Sequence, residues 1–598
     1  MEGKPKYSGI KLTEVRIKNF RSLRDVFIDL DWLTVLIGEN NSGKTSFLDA
    51  LFASIGSGRH AVSVDDIFLA LEEKKVPKDR EAIIDIIIRP TDDDGKIIST
   101  FPEGSFWLEL WGEGISQDDL ENDFVGIRSQ IKWDSTKGEY AIIRNFLRDL
   151  ESGPEWSNSE TKNSISFTQI EPIGLYLLDA KRDIKDELQN RNSFWSKMVS
   201  DLDLDDTSID KFEKILTDLN EDIISGSPVL SHVQDHLDEL YKTIGGNKGS
   251  VAITPVPRHL RDLSNGMDIS YATKDAQRFP LSRHGMGTRS LAAVLTFRAY
   301  TTWRQTHSDR EKVHTMLALE EPESHLHPQA QRALFIQIDA IPGQRIISTH
   351  SPIIASQGKI TQLRHFYKEG AYTKISRIDQ SISRDDALRI ERMVLSTRGD
   401  LLYARTIILF EGEQTEDQAL PVFAEKFWHL HPNALGITMV PVGGLNYLPF
   451  LVLATDLRIP WYIFSDGEDN AANAVNSCLK KLSIPLDTPR FIKIPEGKNF
   501  EKYISNDVYK SVLIDMIIEA NADNERHKEA LQKEWQLKSN PLEDIASELK
   551  RDKTKYGKLI AEAITSMPQE ELRFPAPIRK LFEEISNEFD SKKREAII

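Results

Sequence analysis

The stretch LTVLIGENNSGKTSFLDALFASI, from Leu33 to Ile55, constrains the fold more than any other part of the chain. Its short, continuous apolar run predicts a strand buried on both faces. The run passes into GENNSGKT, Gly38 to Thr45, which satisfies G-x-x-x-x-G-K-[ST] in full and then opens a helix. Strand, loop and helix in that order are the context the motif requires. The glycines let backbone N–H groups point at phosphate oxygens, and the helix N-terminus adds a favourable dipole. Lys44 is expected to neutralise the β/γ charge of ATP, and Thr45 to hold Mg²⁺ through its hydroxyl. Gly38, Asn40, Asn41, Ser42, Gly43 and Ser46 complete the expected loop contacts.

A matching acidic element lies far downstream in TMLALEEPESHLHP, Thr315 to Pro328. An apolar strand ends there in Glu320, expected to orient magnesium through water, and Glu321, expected to polarise the attacking water. Glu320 stands where aspartate is more usual, and its longer arm leaves the metal geometry open. In RIISTHSP a further apolar strand leads to His350, which is placed to sense a γ-phosphate. The i, i+2 pair His325 and His327 reads as a turn after a strand, not as a zinc site. In YLLDAKRD, Arg182 has two equal readings, a phosphate contact or a surface salt bridge.

This set resembles the ABC-type ATPases that include the chromosome-maintenance and recombination ATPases. The resemblance implies that SHLHP is the D-loop, that His350 is the switch histidine, and that LSRHGMGTRS, Leu281 to Ser290, is the signature loop. Ser282, Gly285 and Gly287 would be its nucleotide-contacting residues, although the wording departs from LSGGQ. In that family one subunit's signature loop covers the other's nucleotide. A homodimer or higher homo-oligomer through the ATPase domain is therefore implied.

Around these motifs, KLTEVRIKNFRSLRDVFIDL predicts two strands joined by a turn, and EAIIDIIIRP a strand ending before Pro90. Ile209, Phe212, Ile215, Leu216, Leu219 and Ile223 repeat at helical spacing behind DDTS. After SGSP, Val233, Leu237, Leu240 and Tyr241 resume the pattern. The two runs read as an inserted antiparallel helical pair, either a plain subdomain or a dimerisation arm. The expected organisation is an ATPase N-terminal part over 1–180, a helical insertion over 181–260, the ATPase C-terminal part with linker helices over 261–400, and a second α/β domain with C-terminal helices over 401–598. The segment from about 375 to 405 reads as a polar, helical joint.

Composition narrows the class. With 598 residues, 40% apolar and 28% charged, the chain is expected to form two or more soluble domains. One cysteine, Cys478, excludes an intrachain disulfide and a cysteine-built zinc site. No apolar run matches a bilayer span and the N-terminus lacks a signal-peptide core, so a cytoplasmic protein without a membrane partner is expected. A net charge of −17 argues against wholesale coating of nucleic acid, while leaving room for a local basic groove.

The second α/β domain brings acids to strand ends. RTIILFEG delivers Glu411, and IPWYIFSDGED delivers Asp466, Glu468 and Asp469. Functional groups of a parallel sheet gather at the C-terminal ends of its strands. Carboxylates clustered there repel unless a cation lies between them, and hard oxygen ligands favour Mg²⁺, Mn²⁺ or Ca²⁺. Phosphodiester cleavage, with two metals activating water and stabilising the leaving oxygen, suits such a cluster. The plainer reading is that these acids cap surface loops. PVGGLNYLPF, Pro441 to Phe450, is either a close backbone approach to a DNA phosphate or a simple left-handed turn.

The order and spacing of these acids form the pattern of a TOPRIM domain, and the whole chain resembles the OLD (overcoming lysogenization defect) family of nucleases. That resemblance implies an α/β chain in which an ABC-type ATPase with a helical insertion precedes a TOPRIM domain with a helical C-terminal extension. It implies further metal-site acids at Glu416, with Glu413 not separated from it, and at Glu501. It also implies a catalytic lysine in KTKYGK, either Lys553 or Lys558, with Lys555 left open. The ligand of the DGED motif is Glu468 or Asp469. The activity implied is an ATP-regulated, divalent-metal-dependent DNA endonuclease of anti-phage defence, with a helicase or reverse transcriptase as a partner in some systems. Two other readings share these motifs: an ATP-driven DNA-bridging clamp without cleavage, and a topoisomerase-like enzyme. The latter needs a nucleophilic tyrosine in a DNA-gate region, and no segment of adequate length is present.

Overall fold

The computed structural model describes residues 7–56, 62–70, 72–151, 153–178, 204–228, 283–307, 313–379, 382–412, 414–495 and 497–597, with the short pieces 230–231, 256, 270–271 and 279–280. Three larger sheets organise them, beside a two-stranded ladder of Ser270–Tyr271 and Phe279–Pro280. The first is antiparallel and runs Leu23–Asp29, Ile10–Phe20, Ala82–Pro90, Asp123–Asp134, Glu139–Leu147, Thr161–Ser164, with Ser116–Gln117 pairing beside Asp123–Asp134. The Ala82–Pro90 strand runs through Pro90, opposite Ile10, where it was expected to stop. A proline in the last position removes only one ladder donor, so the sheet tolerates it. Asp85 in this strand is buried, and it is matched by Arg128 across the sheet at 2.6 Å.

The second sheet has the order Tyr372–Ser376, Leu363–Glu369, Leu33–Gly38, Gln344–Ser348, His314–Glu320, Ile173–Leu178. All neighbours are parallel except the Tyr372–Ser376 edge. Leu33–Gly38 and Gln344–Ser348 are buried at every position, as continuous apolar strands covered on both faces should be. Because Gln344–Ser348 lies between them, the C-terminal ends of Leu33–Gly38 and His314–Glu320 sit one strand apart. Sequence positions some 280 apart thus meet at one sheet edge.

The third sheet is parallel, in the order Ile437–Pro441, Thr406–Phe410, Trp461–Ser465, Phe491–Lys493. Helices Thr415–Trp428, Tyr447–Asp456 and Asp469–Lys481 make its crossovers. The chain after Phe500 is helical and packs on one side, with Tyr556, Ile560 and Phe582 buried against Phe410 and Phe464.

The second and third sheets share one core. Val35, Ile37 and Leu363 belong to the same buried cluster as Leu401, Leu402, Ile407, Leu409 and Val440. The segment expected as a polar joint supplies much of this continuity. It contains helix Arg384–Ile390, a π-turn Glu391–Leu395 and a 3-10 turn Gly399–Tyr403, and it buries Ile390, Val394, Leu395, Leu401 and Leu402. Its apolar residues are as frequent as in the chain at large and most of them are buried or half-buried, so it packs as structure and not as a linker. Of the expected helical insertion, Asp206–Gly226 is described; it is N-capped by Asp205 and leaves Phe212, Ile215 and Leu219 exposed. Val233, Leu237, Leu240, Tyr241, Arg182, Leu281, Ser282 and Glu413 lie outside the described residues.

Candidate functional site

The phosphate-binding loop is shaped by residues that tolerate a left-handed backbone. Gly38 has φ +137°, and a Cβ there would lie 2.1 Å from the Phe366 carbonyl oxygen. Asn41 and Gly43 continue the turn at φ +61° and +107°. The loop encloses a cleft of about 670 Å³ lined by Asn40, Asn41, Ser42, Gly43, Lys44, Thr45 and Ser46, by Arg21 and Ser22, and by Glu321, Ser348 and His350. Lys44 Nζ donates to the Gly38 and Glu39 carbonyls, each at 2.9 Å. Burial lowers its pKa to about 8 against the opposing charges of Glu321, Glu320, Glu323 and Glu39. The ammonium is thus held half-desolvated beside backbone oxygens that a phosphate would replace.

Thr45 Oγ1 donates to Glu320 Oε1, so the longer side chain at this position reaches the threonine hydroxyl. Glu321 sits at φ +42°, which turns its carboxylate to within 3.9 Å of His350 Nε2. Glu323 was not singled out in the sequence. Its Oε1 accepts from Thr349 Oγ1 at 2.8 Å, His350 N at 2.7 Å and Ser351 N at 3.1 Å, so it fixes the backbone that carries His350. Burial raises its carboxyl above the ordinary range. The third acid of EEPE was the available signal. His327 caps the helix Pro328–Asp339 through Nδ1, and His325 takes a left-handed turn at φ +66°, in keeping with a turn and not a zinc site. Gly285 and Gly287 do not line this cleft; a Cβ on Gly287 would meet the His325 carbonyl oxygen at 2.8 Å.

The acids of the third sheet converge as their strands dictate. Phe410 and Phe464 are register partners in adjacent parallel strands, and Glu411 and Asp466 follow at the two C-terminal ends. Glu416, in the first turn of helix Thr415–Trp428, is 5% exposed. Glu501, in helix Phe500–Ile504, is 2% exposed and accepts from Thr415 Oγ1 at 2.7 Å and Lys553 Nζ at 3.0 Å. Glu468 is exposed at the rim, and Asp469 opens the following helix.

The electrostatics tie the set together. Burial, then the charges of Asp466 and Glu501, pushes Glu416 up to about 8. Burial, then Glu411, Glu501 and Glu468, pushes Asp466 up to about 7, although its Oδ1 accepts from Phe500 N at 3.1 Å. Glu411 is raised by burial and by Glu468, against Lys553. Lys553 loses to desolvation but is raised overall by Glu501, Glu416 and Asp466. Glu468 therefore acts on both strand-end acids.

Two features test whether the cluster fits a cation. Glu411 Oε2 and Glu416 Oε2 are buried with no hydrogen-bond partner. Buried carboxylate oxygens without donors are costly, and a divalent ion is the usual remedy. The donor set is entirely hard oxygen, as Mg²⁺, Mn²⁺ or Ca²⁺ requires. The residues fit such ions. Among the described residues no three of the acids already close into a ligating cage.

Local sequence makes this approach possible. A Cβ on Gly412 would fall 1.7 Å from Glu416 Oε2, so a larger residue there would push the second glutamate's carboxylate out of its present place beside the turn that carries Glu411. Gly557 faces Gln418 with a virtual Cβ at 2.9 Å, allowing helix Lys553–Thr565 to lie close on Thr415–Trp428. The three candidate lysines separate. Lys553 reaches the cluster, Lys555 donates to Asn521 Oδ1 at 2.7 Å, and Lys558 pairs with Glu562 at 3.4 Å on an exposed face. Tyr447 was missed: it is buried under the acids, and burial raises its phenol. Gly443 and Gly444 form a left-handed turn at φ +66° and +71°, with Asn446 Nδ2 donating to the Gly443 carbonyl at 2.7 Å.

Residues 10–355 match the family described as AAA ATPase domain. The chain belongs to that family. Following this AAA ATPase part, residues 402–467 match a second description, overcoming lysogenization defect protein-like, TOPRIM domain. The chain is thus an α/β ATPase followed by an OLD-like TOPRIM domain with a helical C-terminus, an architecture that implies use of a nucleotide and a divalent metal. It is 24% identical over 487 residues to the OLD nuclease of Thermus scotoductus, covering 76% of this chain and 82% of that protein. It is 22% identical over 461 residues to the Old nuclease of Escherichia phage P2, covering 73% and 74%. A solved C-terminal region of the Burkholderia pseudomallei OLD protein is 24% identical, covers 31% of this chain and 98% of that one, and has a TM-score of 0.25. Among the described residues no helix is long and apolar enough to cross a membrane.

Proposed function

We propose that this AAA ATPase is a divalent-metal-dependent DNA endonuclease whose cleavage is governed by ATP, in keeping with an anti-phage role. The observation that carries the nuclease reading is the convergence of Glu411, Glu416, Asp466 and Glu501 with two buried, donorless carboxylate oxygens. Glu411, Glu416, Asp466 and Glu468 would hold Mg²⁺ or Mn²⁺. Ions bound there supply an activated water and charge stabilisation at the leaving oxygen. Glu501 holds Lys553 through a 3.0 Å ion pair, so its ammonium stands ready to offset charge on the phosphoryl group. Thr415 holds Glu501 in turn. In the other half, Lys44 binds phosphate, Thr45 and Glu320 serve the nucleotide's magnesium, and Glu321 with His350 stands at the terminal phosphate.

Assembly belongs to the same reading. Gly285 and Gly287 lie away from the chain's own phosphate cleft, as residues offered to the nucleotide of a second copy would. Plasmid nicking with Mg²⁺ or Mn²⁺ tests the central claim. Glu411→Ala is expected to lose about 100-fold or more in rate, and equal nicking by wild type and variant removes Glu411 from the site.

A further inference from the structure

The strand Thr406–Phe410 has its two ends in different places. Its C-terminal end delivers Glu411, while the residues just before it, Tyr403 to Arg405, lie on the nucleotide site. Tyr403 Oη donates to the Thr349 carbonyl at 3.2 Å and reaches the Ser351 carbonyl at 3.5 Å, the two residues that flank His350. Arg405 Nε donates to Glu39 Oε1 at 2.8 Å, and Glu39 is the second residue of the phosphate-binding loop. Glu39, Asn40, His350, Tyr403 and Arg405 line a second cleft of about 370 Å³, which shares Asn40 and His350 with the phosphate cleft.

The Arg405–Glu39 pair is a poor endpoint for an arginine. Its side chains are 61% and 50% exposed, so solvent screens the attraction and little free energy holds it. A terminal phosphate beside His350 carries more charge and accepts two parallel N–H bonds from a guanidinium. Arginine suits that task where lysine does so less well.

We infer that Arg405 contacts the terminal phosphate of a bound nucleoside triphosphate, leaves Glu39 when it does so, and thereby makes the strand that carries Glu411 respond to triphosphate and not to diphosphate. The second half of this inference rests on the nuclease reading above; the first half does not. The strand between the two ends is five residues long and fully buried. Ile407 and Leu409 are locked into the core that also holds Val35 and Ile37. A close-packed strand passes a small shift along its length instead of absorbing it. At about 3.3 Å per residue, Arg405 and Glu411 are roughly 20 Å apart along that lever.

The test uses the full-length chain with Mg²⁺. Titration calorimetry with AMP-PNP and with ADP is compared for wild type, Arg405→Ala, Arg405→Lys and Glu39→Gln. Arg405→Ala is expected to weaken AMP-PNP about tenfold and change ADP by less than twofold, since one charge-assisted phosphate contact is lost. Arg405→Lys should recover part of the loss. Glu39→Gln should tighten AMP-PNP a few-fold by releasing the arginine. Equal weakening of both nucleotides, or no weakening, overturns the contact; unchanged AMP-PNP affinity in Glu39→Gln overturns the exchange. Plasmid nicking then reads the coupling: in Arg405→Ala the rate is expected to be the same with and without AMP-PNP. A surviving response overturns the coupling. Absence of nicking in the wild type with either metal refutes the nuclease reading and leaves the binding result standing.

Discussion

Both chemical centres of this molecule lie at the C-terminal ends of parallel strands, yet they are finished to different degrees. In the nucleotide cleft each charged group has a partner within the chain: Lys44 has two carbonyls, Glu320 has Thr45, and Glu323 has three donors on one oxygen, although its Oε2 is buried without one. In the acid cluster two neighbouring acids, Glu411 and Glu416, each keep a buried oxygen without a donor, and among the described residues the lysine that reaches the cluster, Lys553, is engaged by Glu501. The first centre is preorganised without its ligand. The second stores repulsion that a divalent ion relieves.

The sharpest way to break this contrast is Asp466→Asn. Nicking is expected to fall about 100-fold or more, while the metal-free protein becomes more stable, because a like charge leaves a buried cluster. A metal-free thermal melt that shifts downward would end the comparison. The corresponding change in the cleft, Glu323→Gln, keeps an amide oxygen for the three donors while removing a buried charge, and should shift stability by less than about 1 kcal/mol; unfolding in urea reads it.

Lysine substitutions discriminate next. Lys553→Ala should reduce nicking roughly 10- to 100-fold, whereas Lys558→Ala, whose ammonium faces Glu562, should remain within about twofold. Similar losses in both would mean that the helix phase seen here does not describe the working site.

A smaller effect follows from pH. Glu416 and Asp466 have folded-state values of about 8 and about 7, above the values expected for the unfolded chain, which lie near 4. Between pH 4 and 8 the folded state therefore binds more protons than the unfolded one, and stability falls as pH rises. The melting temperature of metal-free protein should drop between pH 6 and pH 8.5, and saturating Mn²⁺ should reverse most of the drop. A melting temperature that rises over this interval would show that other groups dominate.

The smallest expected change is in His327→Ala, which removes a weak helix cap, with Ala330 N 3.4 Å from Nδ1. It should cost about 0.5–1 kcal/mol and leave metal content unchanged; loss of bound zinc would revive a reading that the turn geometry rejects.

What was legible in the sequence was chemistry concentrated at strand ends. GENNSGKT and the acids after LALE, IILF and YIFS each announce themselves within a few residues, because a parallel sheet puts its working groups there. What was hidden depends on neighbours remote in sequence. Thr415 matters only because Glu501 accepts its hydroxyl hydrogen bond, Tyr447 only because its phenol feels the charges of Glu411, Asp466 and Glu416, and Tyr403 only because it reaches the carbonyls beside His350. The lysine in KTKYGK was undecidable without the phase of the helix. Five residues at 100° each place Lys558 about 140° around from Lys553. The segment 375–405 misled for a related reason: its apolar residues are as frequent as elsewhere but interleaved with charges, and the core they meet is built from residues remote in sequence.

The uninterrupted cluster running from Val35 through Leu401 to Val440 has a practical consequence for anyone who would dissect this protein. A cut near position 400 would strip oily faces from both fragments, so each half should be less stable by itself than within the whole chain. Calorimetry should likewise record the two catalytic centres melting in a single transition.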